Sequence, residues 1–269
     1  MQTVSSIKRV EHKYMTGEEP LLVTCSDLNA YICKYMRSSA SAFKMVCELV
    51  GLHFADVWRL NSPKAALVMI KPAHWPSMGC SHSVSAPCIG SRKIDGALDV
   101  TSSTIDCIVR EKQTLHDLLL IALFDFWIAN EDRNCNNYNL LYDVTEQRLA
   151  AIDFGCIFNT ATFDYPLSQL TATDTVLYSE LFEMLSRETN DGEMTALCRS
   201  LHRLYHDNLS RCRQEVEKLL ALLPNEWHVP QAVVGGKVMQ LFDESWSESV
   251  WNNFMECLNE NYCHGEIKI

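Results

Sequence analysis

Two short polar motifs, separated by a stretch long enough for one hairpin, constrain the fold of this chain more than any other feature. The first, DRNCNN, places an acid at Asp132 and an amide five residues later at Asn137. The second, DFG, places another acid at Asp153, directly after the apolar run LAAI. Phosphoryl transfer needs such groups, because one carboxylate orients a hydroxyl while an amide and a second carboxylate hold Mg²⁺ against the phosphates. The motifs therefore predict a phosphoryl-transfer site.

The segment between the motifs has the pattern of a β-hairpin. Residues 138–143 and 148–152 are rich in apolar side chains, and residues 144–147 are suited to the turn that joins them. Such a hairpin brings its two open ends together. Asn137 and Asp153 are therefore expected to approach one point from opposite sides.

A lysine and a glutamate upstream complete a set typical of nucleotide sites. Residues 21–25 and 30–35 predict a second hairpin, with Lys34 near its end, and residues 38–54 have the apolar spacing of a helix that carries Glu48. Lys34 would hold phosphates and Glu48 would steady the lysine. A strand lysine that simply reaches water is the alternative for Lys34 alone.

The rest of the chain divides at a proline. Residues 65–70 predict a strand that Lys71 and Pro72 end, and we interpret this break as a hinge between a small lobe, 1–72, and a large lobe, 73–269. Backbone near Lys71 would then contact adenine.

Residues 74–104 show no periodicity and predict a long loop.

Helices are predicted for most of the second half. Thr114 and Asp117 have the spacing of a capping box that opens a helix reaching about Ala129, apolar nearly all round and therefore buried. Three further helices are predicted, with Asp191-Gly192, Pro224 and Gly235-Gly236 as breaks: 177–187, 193–223 and 237–261.

Residues 126–158 resemble the HipA-like kinases, and share the patterns Asp-Arg-x-x-x-Asn and Ile-Asp-x-Gly with the phosphoinositide 3- and 4-kinases. Residues 20–35 also resemble the small-lobe hairpin of the HipA-like kinases, so that the resemblance spans about 15–160. It implies an α+β, two-lobed protein-kinase-like fold, with a small mixed β lobe and a larger, mainly helical lobe. No His-Arg-Asp triplet precedes the loop, because the sequence there is Ala129-Asn130-Glu131, and this disfavours the eukaryotic protein-kinase branch.

The resemblance also implies a function. The chain is expected to be an ATP- and Mg²⁺-dependent kinase acting on Ser or Thr of a protein, with an antitoxin-like regulatory protein as a permitted partner. Asp132 would be the catalytic base, while Asn137 and Asp153 would hold the metal. The nucleotide would also contact Lys34, Glu48 and Lys71. HipA-like kinases autophosphorylate a serine near the nucleotide, and the candidates here are Ser38, Ser39, Ser41, Ser81, Ser83, Ser85 and Ser91.

Two other functions stay open. A lipid kinase would share the same motifs. A pseudokinase that senses nucleotide or binds a partner is suggested by the poor phosphate loop, in which Gly17 is followed by Glu18 and Glu19. Two acids beside phosphates would repel them.

Charge and cysteine content narrow the partners and the compartment. The net charge is −11, yet residues 1–72 carry 9 Lys and Arg against 6 Asp and Glu, which leaves −14 for the remainder. This acidic part argues against binding of nucleic acid or of anionic membranes. The 12 cysteines include no Cys-x-x-Cys pair. Residues 1–9 also lack the apolar region of a signal peptide. Free thiols in the cytoplasm are therefore expected.

Overall fold

The computed structural model of the protein describes residues 1–76, 85–262, 265 and 267. Its small lobe is built on a six-stranded sheet with the order β1-β5-β6-β4-β3-β2. The strands are β1 Gln2–Ser5, β2 His12–Lys13, β3 Leu21–Thr24, β4 Ala30–Lys34, β5 Ala65–Met69 and β6 Cys88–Arg92. One helix, α1 Ser39–Trp58, packs against β5 and β6.

The predicted hairpin of β3 and β4 is confirmed. The two strands pair antiparallel, with Leu21 opposite Cys33 and Val23 opposite Tyr31, and all four side chains are buried. Side chains on a strand alternate between faces, so this register turns the apolar set of both strands into the core. Lys34 ends β4 at the edge of that core.

The sheet also contains three strands that the sequence did not predict, namely β1, β2 and β6, of which β2 pairs antiparallel with β3. β1 pairs parallel with β5, and β6 lies between β5 and β4, antiparallel to both. β6 falls within residues 74–104, which were predicted as a loop, so that part of the prediction is wrong. The division into lobes after residue 72 stays a prediction, but the sheet takes a central strand from beyond it.

The helix α1 begins and ends with clear signals. Ser38 is its N-cap and forms a reciprocal capping box with Ser41, while Arg59 ends it in the left-handed conformation. The helix begins one residue later and ends four residues later than predicted. Its buried face carries Glu48, which is only 2% exposed.

The large lobe is mainly helical, as predicted. A three-stranded sheet of β7 Leu98–Asp99, β8 Leu140–Asp143 and β9 Arg148–Ala151 has the order β7-β8-β9. The β8–β9 pair is the hairpin that was predicted between the two motifs. The helices are α2 Lys112–Ile128, α3 Ile157–Ala161, α4 Glu180–Ser186, α5 Asp191–Ala221, α6 Gln231–Gln240 and α7 Glu244–Asn261. The fold is therefore α+β, with a β-sheet lobe and a helical lobe.

The structure corrects two helix boundaries. The buried helix α2 has Glu111 at its N-cap, and Thr114 lies inside the first turn with its buried hydroxyl unpaired among the described residues. The predicted break at Gly235-Gly236 is also wrong, because both glycines lie within α6. A Cβ at Gly235 would lie 3.3 Å from Leu220 of α5, so the glycine permits close packing of the two helices.

Within the described part of the chain, no helix is both long enough and apolar enough to cross a membrane.

Candidate active site

Lys34 lies at the centre of the cleft between the sheet and the β8–β9 hairpin. Its Nζ is 2.9 Å from Oε2 of Glu48 and 2.6 Å from Oδ1 of Asp153. A third carboxylate, from Glu18, lies 3.1 Å away. The structure thus brings together three of the residues that the sequence singled out, from positions as far apart as 34 and 153.

Burial and charge act against each other in this cluster. Burial disfavours the charged form of Lys34, but Glu48, Asp153 and Glu18 together raise its pKa well above the ordinary value. Burial raises the pKa of Glu48. Burial would also raise the pKa of Asp153, but the charge and hydrogen bond of Lys34 outweigh it and lower that pKa. Lys34 is therefore charged at neutral pH.

The DFG segment is fixed by bonds to this same cluster. The Phe154 N–H donates to Glu48 Oε2 at 2.8 Å, and the Gly155 N–H donates to Asp153 Oδ1 at 3.2 Å. Asp153 has the left-handed φ of 58°, which turns its carboxylate from the end of β9 toward the lysine. A Cβ at Gly155 would lie 3.0 Å from Lys34 Nζ, so glycine keeps the space beside the lysine open.

A second polar cluster lies behind residues 130–139, the Asp132 loop. Arg133 is fully buried and its Nε donates to Asp125 Oδ2 at 2.8 Å, while Asn130 donates to the other oxygen of Asp125 at 2.8 Å. The Nη1 of Arg133 donates to the carbonyls of Asn139 and Ile152. Arg133 therefore joins the loop that carries Asp132 to the strand that leads into Asp153.

Burial of Asp125 raises its pKa to about 6, against the lowering effects of Arg133 and Asn130. The guanidinium carbon of Arg133 also lies 5.1 Å from the centroid of the Phe154 ring, a cation–π contact. Phe154 thus contacts the second cluster with its ring and the first with its backbone. Sequence reasoning missed both Asp125 and Arg133 as organisers of the site.

The amide nearest to Asp132 is Asn139 rather than Asn137. The Nδ2 of Asn139 donates to Asp132 Oδ2 at 3.0 Å and to the Asp132 carbonyl at 3.2 Å. Asn137 is exposed; its backbone pairs with Asn134, and its side chain makes no hydrogen bond with the described residues. The Asn139 side chain can thereby present its oxygen to the cleft while its nitrogen holds the acid.

Glu131 connects the Asp132 loop to the turn that follows the DFG motif. Its carboxylate accepts hydrogen bonds from Asn159 Nδ2 at 2.8 Å and from Thr160 Oγ1 at 2.9 Å. Residues 158–161, which form most of α3, have left-handed φ values between 52° and 59°, so this segment is a left-handed turn rather than a regular α-helix. Such a conformation is costly for residues other than glycine. The strained turn is therefore held in place by the residue next to Asp132.

Lys71 lies outside this constellation. It is exposed, its N–H donates to Ser6 Oγ at 2.9 Å, and its carbonyl accepts from the His74 N–H at 2.8 Å. Adenine could use the Lys71 N–H only if the bond to Ser6 broke.

The candidate serines are placed unevenly around the site. Ser38 and Ser41 cap α1 and line a cavity of about 370 Å³ beside Lys34. The Ser91 hydroxyl donates to Glu48 Oε1 at 3.4 Å. Ser39 and Ser85 are exposed. Ser81 and Ser83 lie outside the described residues.

Comparison with known proteins identifies the family. The sequence model of the HipA-like kinase family matches residues 6–245, so the chain belongs to the HipA-like kinases. No curated protein matches the chain.

One solved structure agrees with this fold. The crystal structure of the proinflammatory kinase CtkA from Helicobacter pylori is similar, with a TM-score of 0.54, 12% identity, and coverage of 94% of this chain and 99% of that one. The crystal structure of the Golgi casein kinase matches at a TM-score of 0.41 and 14% identity, over 97% of this chain and 75% of that one. The expected kinase-like fold is confirmed.

Proposed function

We propose that this member of the HipA-like kinase family transfers phosphate from ATP, with Mg²⁺, to a Ser or Thr hydroxyl of a protein. The observation that carries the proposal is the position of Lys34, which contacts Glu48 of α1 and Asp153 of the DFG turn at the same time. A lysine held in this way is preorganised for phosphate oxygens, since its orientation is fixed before the ligand arrives.

Each residue near the cleft then has a role. Asp132 accepts or orients the proton of the acceptor hydroxyl, and Asn139 keeps that carboxylate in place. Asp153 with Asn139 offers the oxygen ligands that Mg²⁺ prefers, and Asn137 stays a second predicted amide ligand. When bound, the metal would neutralise charge on the phosphates. Few protein oxygens are available, so metal affinity without nucleotide should be weak.

The acidic cavity beside the Asp132 loop favours a protein over a lipid as the phosphate acceptor. A cavity of about 520 Å³ adjoins the Asp132 loop and is lined by Cys135 and Tyr138 of that loop. Its wall also carries Glu180, Glu183 and Glu260. These acids would repel a phosphorylated lipid head group, whereas a polypeptide segment with neutral or basic side chains is compatible with them.

The test replaces Asp132 by Asn, which keeps the shape of the side chain and removes its basicity. Transfer of radiolabelled γ-phosphate to protein should fall by roughly 10²–10⁴-fold. Asp56→Asn is the matched control, because Asp56 is exposed on α1 and pairs only with Lys64 among the described residues. An Asp132→Asn protein with full transfer activity would refute the assignment.

An inactive nucleotide-binding protein is the second candidate, and the nearness of Glu18 to Lys34 favours it. Mg-ATP would then raise the melting temperature, because a ligand bound only by the native state stabilises it, yet no γ-phosphate would be lost. Phosphoinositide vesicles and protein acceptors, compared in the same transfer assay, separate a lipid kinase from a protein kinase.

A further inference from the structure

Glu18 lies in the loop before β3 and contacts two lysines at once. Its Oε2 is 3.1 Å from Nζ of Lys34, and its Oε1 is 3.2 Å from Nζ of Lys44. One anionic group is therefore held between two ammonium groups, at the place where the kinase fold brings its nucleotide phosphates. No pattern in the sequence singled out Lys44.

Lys44 is positioned by the same helix that positions Glu48. The two residues are one turn apart on α1, and residues four apart lie on one face of a helix. Glu48 contacts Lys34 directly, whereas Lys44 contacts Oε1 of Glu18. Burial would lower the pKa of Lys44, but the hydrogen bond and the charge of Glu18 raise it. The Lys44 side chain is 39% exposed, so a ligand can approach it.

The space around Glu18 continues into a cavity. Gly17, Lys34, Lys44 and Arg37 are among its lining residues, and its volume is about 370 Å³. The Glu18 carboxylate also borders the DFG turn, since a Cβ on Gly155 would lie 3.5 Å from Oε1. A phosphate group placed between the two lysines would thus lie beside Asp153. Glu18 and a phosphate would compete for that place, because both are anions.

We propose that Lys34 and Lys44 together form the phosphate-binding pair of this kinase, and that Glu18 occupies their anion position until the nucleotide displaces it. This inference rests on the proposed function, since it names residues that bind the phosphates of the same ATP. It gives the acidic loop a role, because Glu18 stabilises two converging lysines before the nucleotide binds.

The experiment measures dissociation constants of ATP, ADP, AMP and adenosine by calorimetry with Mg²⁺ for four variants of the full chain. Lys44→Met should weaken ATP binding roughly tenfold or more, as expected for loss of a bond between charged groups, and should leave adenosine unchanged. Glu18→Gln should tighten ATP binding several-fold and leave adenosine unchanged. The controls are Lys64→Met and Glu193→Gln. Lys64 pairs with Asp56, which lies on the same helix as Lys44, and Glu193 pairs with Lys112 away from the cleft.

The outcomes separate the two proposals. If wild-type protein binds none of the nucleotides, the proposed function fails and this inference fails with it. If wild-type protein binds ATP and Lys44→Met binds it equally well, this inference alone is overturned. Weaker ATP binding by Glu18→Gln would show that Glu18 assists the nucleotide and would overturn the displacement. Should Lys44→Met melt below wild type, Lys44→Gln repeats the measurement with a polar side chain.

Discussion

The molecule contains two buried polar clusters on either side of Phe154, and they are built on opposite principles. In the first cluster, the Arg133 guanidinium pairs with the single carboxylate of Asp125. Backbone carbonyls accept further hydrogen bonds from Arg133, and the Asn130 amide donates to Asp125. Around Lys34, one ammonium meets three carboxylates, two of which lie at the open cleft. The first cluster is nearly balanced in charge and closed to solvent. The second has an excess of negative charge.

That difference separates a structural role from a ligand-binding one. A balanced, buried ion pair fixes geometry, and it has little to offer a ligand. An excess of carboxylates around a lysine favours further positive charge, which Lys44 supplies in part through Glu18 and which a metal bound with the nucleotide would add. We therefore expect removal of Arg133 to affect the fold, and removal of Asp153 to affect chemistry while the fold persists.

The largest effect is expected for Arg133→Met. It leaves Asp125 buried without its cation and breaks the bonds to the carbonyls of Asn139 and Ile152, so the free energy of unfolding should fall by about 3–5 kcal/mol. Urea unfolding at pH 7 measures this. Arg187→Met is the control, because Arg187 is exposed and one turn from Glu183 on α4. A loss below 1 kcal/mol would contradict the structural role of this cluster.

The pH dependence of the same variant sharpens this result. The pKa of Asp125 is raised from 3.8 to about 6 in the folded protein, so the folded state retains its proton more tightly than the unfolded state. The stability associated with this proton is present below pH 4 and is lost as the pH rises through 6. Without Arg133 that pKa should rise further. Arg133→Met should therefore be more destabilising at pH 8 than at pH 5.

The next effect is expected at Asp153, and it concerns activity. Asp153→Ala should lower phosphate transfer by roughly 10²-fold or more, because a preorganised charge beside the phosphates is lost. Binding of Mg-ATP, measured by calorimetry, should become undetectable, while circular dichroism should show an intact fold. Asp153→Ala protein that binds Mg-ATP with unchanged affinity would break the distinction drawn between the two clusters.

A smaller effect is expected for Gly51→Ala, which acts on the residue shared by both clusters. A Cβ at Gly51 would lie 2.3 Å from Cβ of Phe154, so the phenylalanine must move. Such overpacking typically costs about 1–3 kcal/mol. Because the Phe154 N–H donates to Glu48, ATP affinity should fall as well. Gly236→Ala is the control, since a Cβ there would meet nothing within 4 Å.

The sequence predicted those parts of the site that depend on local pattern. The β8–β9 hairpin, the β3–β4 hairpin and helix α1 each have their own apolar periodicity, and they bring Lys34, Glu48 and Asp153 together. The side-chain contacts of Asn139 could not be predicted, because Asn137 and Asn139 are both amides on one loop. The left-handed φ of 45° at Asn139, with Arg133 bonded to its carbonyl, decides which of them faces Asp132.

Longer-range pairings escaped prediction for a different reason. β6 has the sequence CIGSR, in which only the first two side chains, Cys88 and Ile89, are apolar, so no alternation marks it as a strand. Its Gly90 is required by packing, since a Cβ there would lie 2.6 Å from Val68 on β5. This contact depends on the neighbouring strand, so the periodicity of the β6 sequence could not predict it.

The position of β6 also has a consequence for how the chain acquires its structure during synthesis. β4 and β5 are made first, but each forms its ladder with β6 rather than with the other. A ribosome-bound chain that has exposed only residues 1–72 therefore has two strands with unpaired edges. β1 and β5 must also meet across more than 60 residues, and such closures are slow. The small lobe should consequently become protease-resistant in one step, once Arg92 has emerged.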